Sequence, residues 1–236
     1  MALRFKKPQL IPLLFIIAAT LVLGALGAWQ LQRLAWKEQL IAQIAQAQAE
    51  PALGNIPEHF EDNMVRRFPD VLYHNVALTG TFHYDKTLHL IGRQRGPEVG
   101  YFMLTPLELE DDGRVVLVNR GFSPVGKDAR PQGLQTVKGV ARPLREKRLF
   151  SPANHPEKNV WFYEDIAAMQ DATSLSLLPV VIEATSTPQA GLYPVPNEAK
   201  LTLRNDHLGY AITWFSLMVV GWVMFAFYHR IPATKP

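Results

Sequence analysis

Seven histidines are the strongest metal ligands in a chain of 236 residues that contains no cysteine. Without cysteine there is no disulfide framework, thiol nucleophile, thiolate zinc site or iron–sulfur cluster. His207 stands apart from the other six. It directly precedes an apolar run, Leu208–Tyr228, and helical spacing from it reaches Tyr210, Ala211, Trp214 and Met218. Trp29 and Gln30 close a second apolar run, and Arg33 and Arg204 lie about one turn outside the two runs. An imidazole beside aromatic rings and guanidinium groups at a membrane surface suits a flat, amphiphilic, anionic ligand. The ring nitrogen can bind a haem iron axially. The aromatic rings would line the macrocycle, and the guanidinium groups would meet its propionates. The same residues also describe an interfacial aromatic belt with basic anchors, so both readings stay open here.

The other histidines carry less. His83 and His89 could approach across a hairpin with His74 on a neighbouring strand, which would make a copper or zinc site. Strand parity alone does not bring three rings together, and exposed strand histidines explain the pattern equally well. His59, His155 and His229 sit in loop or tail contexts. The chain has no G-x-G-x-x-G, no Walker loop, no H-E-x-x-H and no G-x-S-x-G, so nothing in it marks an enzyme. The acids of LELEDDGRV read as a solvated hairpin with Asp112-Gly113 at its tip.

The elements that must position His207 are two helices. Leu10–Trp29 and Leu208–Tyr228 contain no ionisable side chain of Asp, Glu, Lys, Arg or His. At about 1.5 Å per residue each spans about 30 Å, the thickness of a bilayer core, so each is predicted to be a transmembrane helix rather than a buried core helix. Arg4, Lys6 and Lys7 precede the first run, and Arg230 and Lys235 follow the second, with no acid on either tail. That leaves 19 basic residues against all 21 acidic residues between the spans. The basic tails predict that both termini are cytoplasmic and that the segment between the spans lies outside. The pI of 9.1 therefore reflects the tails, and no phosphate-tracking stripe points to nucleic acid. The first run could be a cleaved signal peptide, but its apolar core is long and WQLQRLAWKEQLIAQIAQAQAE continues it as helix. Leu34, Ile41, Ala45 and Gln48 form a stripe on that extension, with Leu40 and Ile44 beside it, and Pro51 ends it.

After Pro51 the character changes. Short runs rich in β-branched and aromatic residues cover 71–84, 87–93, 100–109, 115–122, 136–141, 160–164 and 180–184, separated by Gly and Pro. Residues 165–170 read as one helical turn. The fold class is therefore a membrane α+β protein, with N- and C-terminal transmembrane helices flanking a single β-rich, sandwich- or barrel-like extracytoplasmic domain. The boundaries are a tail at 1–9, a span at 10–29, a juxtamembrane helix at 30–50, the β-rich domain at 51–207, a span at 208–228 and a tail at 229–236.

Five motifs occur in order along nearly the whole chain. They are GAWQLQRLAWKEQLI at Gly27–Ile41, GRQRGPEVGYFMLTPLEL at Gly92–Leu109, LVNRGFSP at Leu117–Pro124, NVWFYEDIAAM at Asn159–Met169 and NDHLGYAITWFSL at Asn205–Leu217. With these the chain resembles the Surfeit-locus-one family of cytochrome c oxidase assembly proteins. The resemblance implies an integral membrane assembly factor rather than an enzyme. It implies transient binding of haem a and its presentation to oxidase subunit I, with haem a synthesis enzymes as further partners. His207 matches the family's proposed haem ligand. Trp29, Gln30, Arg33, Arg204, Tyr210 and Trp214 would complete the cofactor site.

The remaining motif residues are expected to be mostly structural. Gly92, Gly96, Gly100 and Gly121 would serve turns and bulges, Pro106 and Pro124 would end strands, and Trp161 and Tyr163 would share a strand face. Asn119 and Arg120 would pin the β domain onto the helices or face the oxidase. Only nine residues precede the first span, which is too few for a transit segment. The expectation is a bacterial plasma-membrane protein with a periplasmic central domain. The rivals are a cofactor-free scaffold for oxidase intermediates and, behind it, a copper chaperone using His74, His83 and His89.

Overall fold

The computed structural model describes residues 7, 9–57, 71–91, 99–185, 193–196 and 205–230. The chain forms two units, Met1–Gln43 with Thr202–Pro236, and Ile44–Leu201. Helix α1, Leu10–Ala49, begins in the first and ends in the second. No Pro interrupts it after Pro12 in its first turn, and Pro51 follows its end.

The first unit is a helix pair. The apolar part of α1 packs against α3, His207–His229, and both are long and apolar enough to cross a membrane. Their apolar side chains point outward, Phe15 being 74% and Met224 66% exposed, the reverse of a core helix. Three contacts set an antiparallel pairing. Trp222 Nε1 donates to Thr20 Oγ1 at 2.9 Å. The Phe215 ring lies over Gly27, where a Cβ would sit 2.6 Å from it. At the far end His207 meets Gln30. A glycine lets an aromatic ring approach the helix backbone closely, which is how helices gain contact where lipid is as apolar as the side chains. Gly27→Leu is expected to push the helices apart, read as a lower thermal midpoint in detergent with the β-rich unit unchanged.

The second unit is a barrel. Its strands are β1 Asn75–Phe82, β2 Leu88–Leu90, β3 Gly100–Leu109, β4 Val115–Pro124, β5 Leu134–Arg142, β6 Val160–Trp161 and β7 Leu177–Ala184; helix α2, Ile166–Thr173, lies between β6 and β7. Sheet order runs β1-β5-β7-β4-β3, and β3 pairs β1 again through Gly80–Leu109 and Phe82–Leu107, closing five strands. All these pairings are antiparallel except β4–β7. β2 and β6 extend from the outside of β3. The closing pairing of Gly80–Phe82 with Leu107–Leu109 gives the two outer strands of the five a partner on each side there. The interior takes alternate residues of every barrel strand, among them Val76, Leu107, Val118, Val137 and Ile182. The outer faces of β4 and β7 are buried too, where Leu117, Leu177 and Val181 pack against Trp161 and Met169. That double burial explains why VVLV at 115–118 and LLPVVI at 177–182 read as apolar runs without alternation.

Several expectations change. Residues 160–164 yield only a two-residue strand, and α2 replaces a single turn, with the Asp165 carboxylate capping it through the Ala168 N–H at 3.2 Å. Pro106 lies inside β3, not at its end. It falls between the stretch of β3 that pairs β2 and the stretch that pairs β1, so its missing N–H costs no bond to either. Trp161 is fully buried, but Tyr163 lies beyond the strand and is only half-buried. On the α1 extension Ile44 is buried and Ile41 exposed, so the covered stripe differs from the one predicted. Gly92, Gly96 and His59 lie outside the described residues.

Gly121 has φ +108°, and β4 carries one extra residue there relative to β3. A Cβ on it would lie 2.1 Å from the Val195 carbonyl oxygen. Gly121→Ala is expected to cost about 2 kcal/mol or more, from the left-handed backbone and the clash together, and denaturant unfolding measures it.

Candidate functional site

His207 is the first residue of α3, and Gln30 is a buried residue of α1. Their side chains meet at 2.8 Å, His207 Nδ1 against Gln30 Oε1. An amide oxygen only accepts, so Nδ1 carries the proton and donates it. The lone pair is therefore on Nε2, which has no hydrogen-bond partner among the described residues. A ring with one nitrogen held by a second residue and the other free is the arrangement of a metal-binding imidazole with its supporting hydrogen bond.

The surrounding residues follow from helix geometry. With Gln30 and His207 facing each other on antiparallel helices at about 100° per residue, Trp29, Arg33 and Tyr210 fall on one side of the pair and Leu34 and Ala211 on the other. Trp29 is 51% and Tyr210 56% exposed, so two aromatic faces flank His207 on that side. The Arg33 guanidinium lies 4.5 Å over the Trp36 ring and makes no ion pair among the described residues. Ala211 is buried, and Trp214 and Met218 are partly covered, so most of the predicted stripe on α3 is taken by packing. Trp214 Nε1 and Asn205 Oδ1 are both buried without a hydrogen-bond partner. Arg204 lies outside the described residues. The donor set fits a haem-type group: a free imidazole nitrogen, exposed rings beside it and an unpaired guanidinium.

The other histidines do not assemble. β1 and β2 both pair with β3 and not with each other, so His83 and His89 do not face across a hairpin. His83 Nε2 bonds Glu108 at 2.8 Å, His74 Nε2 bonds Glu50 at 3.2 Å, and His89 stacks on Tyr101 at 4.9 Å. No group of three possible metal ligands occurs among the described residues. Burial lowers the His89 pKa; the Asp128 charge opposes this and the Arg130 charge adds to it. The folded protein thus binds that proton less tightly than the unfolded chain. Stability is expected to fall as pH drops below the ordinary 6.5, and His89→Phe should flatten that part of the pH profile of the unfolding midpoint. His229 is no tail residue. It ends α3, buried against Phe225 at 4.2 Å, with Nδ1 bonded to the Phe225 carbonyl at 2.9 Å.

Asn119 and Arg120 are spent within the β-rich unit. Asn119 donates to Glu183 at 2.9 Å. Arg120 pairs Asp128 at 2.8 Å, donates to the Ala129 carbonyl and lies 4.8 Å over the Tyr84 ring. Sequence reasoning missed the network that Asn119 joins. Arg142 grips both oxygens of Glu164 at 2.7 Å and Glu183 at 2.7 Å, all buried. The signal was present as a lone charge inside an apolar strand, Glu183 in VVIEA.

The whole chain can be set beside known proteins. It matches the model of the SURF1 family over residues 17–219. A SURF1-like protein of Monosiga brevicollis is 34% identical, over 91% of this chain and 86% of that protein. Surfeit locus protein 1 of Rattus norvegicus is 32% identical, over 87% and 70%. A SURF1-like protein of Rickettsia bellii, a bacterium, is 30% identical, over 94% and 92%.

Proposed function

The chain belongs to the SURF1 family, and from that premise we propose that it is a membrane factor for cytochrome c oxidase assembly that binds haem a and presents it to oxidase subunit I. The observation that carries the haem reading is the Gln30–His207 bond. It holds the ring by Nδ1 and leaves Nε2 as a ligand. When bound, haem would supply an iron that takes an imidazole ligand, and anionic propionates.

His207 Nε2 would hold the iron. Gln30 fixes the ring's tautomer and direction. Trp29 and Tyr210 would pack against the ring, and Trp214 Nε1 and Asn205 Oδ1 are buried polar groups without a hydrogen-bond partner. Arg33 and Arg204 neutralise the carboxylates. Both helices cross the bacterial plasma membrane with the termini in the cytoplasm, so the β-rich unit is periplasmic. His207 then stands at the outer surface, where a greasy tail can stay in the bilayer. Haem a synthesis enzymes supply the ligand.

The test is an optical spectrum of the detergent-purified protein made together with haem a synthesis, for wild type and His207→Ala. A haem a spectrum that is lost or shifted in the variant is the expected result. A colourless wild type sinks the carrier mechanism. One observation favours a second reading, a cofactor-free scaffold: the same bond joins the outer ends of the two helices and can serve that purpose alone. On that reading His207→Ala leaves oxidase assembly intact provided the helices stay paired.

A further inference from the structure

Between β5 and β6 the chain reads REKRLF, Arg145–Phe150. Leu149 and Phe150 are 89% and 92% exposed, more than any other large apolar residue among those described. They are not on a loose excursion. The Ser151 N–H donates to the Arg148 carbonyl at 3.0 Å, and the Arg148 N–H donates back to Ser151 Oγ at 3.1 Å, so both apolar residues stand at the tip of a closed turn. The base of the loop is tied as well. The Arg145 N–H donates to Glu164 at 2.7 Å, the Glu164 N–H donates to the Arg145 carbonyl at 2.9 Å, and Asn154 takes the Phe162 N–H at 2.8 Å. The fold therefore holds a leucine and a phenylalanine out into solvent beside Lys147 and Arg148, both exposed.

We propose that this turn is a membrane-interface contact, with Leu149 and Phe150 entering the headgroup–acyl boundary of an anionic leaflet while Lys147 and Arg148 meet lipid phosphates. Apolar side chains flanked by Lys and Arg are the composition that lies in that boundary, and the cations complement anionic lipid. Two side chains bury far too little to hold a protein partner, since a stable interface needs about 1,000 Å² or more. They suffice for a chain already held at a bilayer, because tethering makes a weak contact intramolecular. The proposal rests on the reading of α1 and α3 as membrane spans.

The absence of cysteine makes the test direct. Full-length Phe150→Cys, Val22→Cys and Lys138→Cys variants, each carrying one environment-sensitive fluorophore, are placed in nanodiscs of mixed zwitterionic and anionic phospholipid. Spin-labelled lipids and a soluble quencher then report depth. Quenching of the position-150 label by shallow lipid labels, together with a blue shift, is the expected result. Lys147→Gln and Arg148→Gln lower the inserted-to-solvent ratio about fivefold for each charge removed. A position-150 label that behaves like the one at 138, while the label at 22 is quenched by lipid, overturns the proposal and leaves the spans standing. An unquenched label at 22 overturns both. Shielding of position 150 that requires added oxidase subunit I rather than lipid assigns the turn to a protein and also overturns it.

Discussion

Glu164→Leu is expected to lower the stability of the β-rich unit by on the order of 3–5 kcal/mol, because it takes from a buried cation one of its two carboxylates and two of its three hydrogen bonds to them. Arg142 is buried, and its guanidinium is held by Glu164 through two bonds of 2.7 Å and by Glu183 through one. Burial opposes the charge, but the hydrogen bonds and charges of Glu164 and Glu183 outweigh it and raise the Arg142 pKa, so the group cannot shed its proton to escape. The carboxylate of Glu164 also takes the Arg145 N–H at 2.7 Å, so its loss frees a backbone donor as well. A loss of that size is a large part of the whole stability of a typical domain. In a unit of this size it lowers the thermal midpoint by on the order of 6–20 °C.

The control borders the same network. The Arg145 side chain is half exposed and 4.0 Å from Glu183, and Arg145→Gln should change stability by no more than about 0.5 kcal/mol. Thermal unfolding of the purified full chain, followed by the β signal in circular dichroism, separates the two. Equal midpoints for Glu164→Leu and Arg145→Gln would show that the network contributes nothing.

The network also marks the limit of what the sequence discloses. The strands were legible because their apolar residues declare burial. β3 begins and ends at the predicted residues, and the Asp112–Gly113 turn is where the composition put it, with Gly113 at φ +71°. The two apolar helices were legible from length and the absence of charge alone. Closure was not. Whether seven short strands make a sandwich or a ring depends on β1 meeting β3 as well as β5, a long-range pairing that leaves no local mark. Partners of buried charges are hidden for the same reason. Arg142 and Glu164 are 22 residues apart, and nothing in either segment names the other. Asn119 and Arg120 show the converse error. Their place in a shared motif suggested an outward role, whereas a polar residue in a strand buried on both faces is under pressure to find partners inside.

The cluster at the facing ends of the two apolar helices was legible as a set of residues, but not as a bond. Matching depth brought Gln30 and His207 into one cluster; only the antiparallel packing shows that Gln30 is the residue that faces the imidazole. That fact gives the second large effect. Gln30→Leu removes the acceptor for the Nδ1 proton and leaves the ring free to turn or to move its proton to Nε2, which would block the ligand. Losing such a supporting partner typically costs 10–100-fold in metal affinity, so haem a retained by the purified variant should fall by about that factor. Gln30→Glu keeps an acceptor and should keep most of the haem, with a shifted spectrum, since a carboxylate makes the imidazole a stronger ligand. The scaffold reading orders the variants differently. There only the joining of the helices matters, so Gln30→Leu and His207→Ala should shift the thermal midpoint of the helix pair alike, and oxidase assembly should stay intact wherever the helices remain paired. Haem titration of wild type and the three variants, with the midpoint measured on the same samples, decides. A haem loss that tracks the midpoint rather than the acceptor at position 30 would falsify the ligand role of His207.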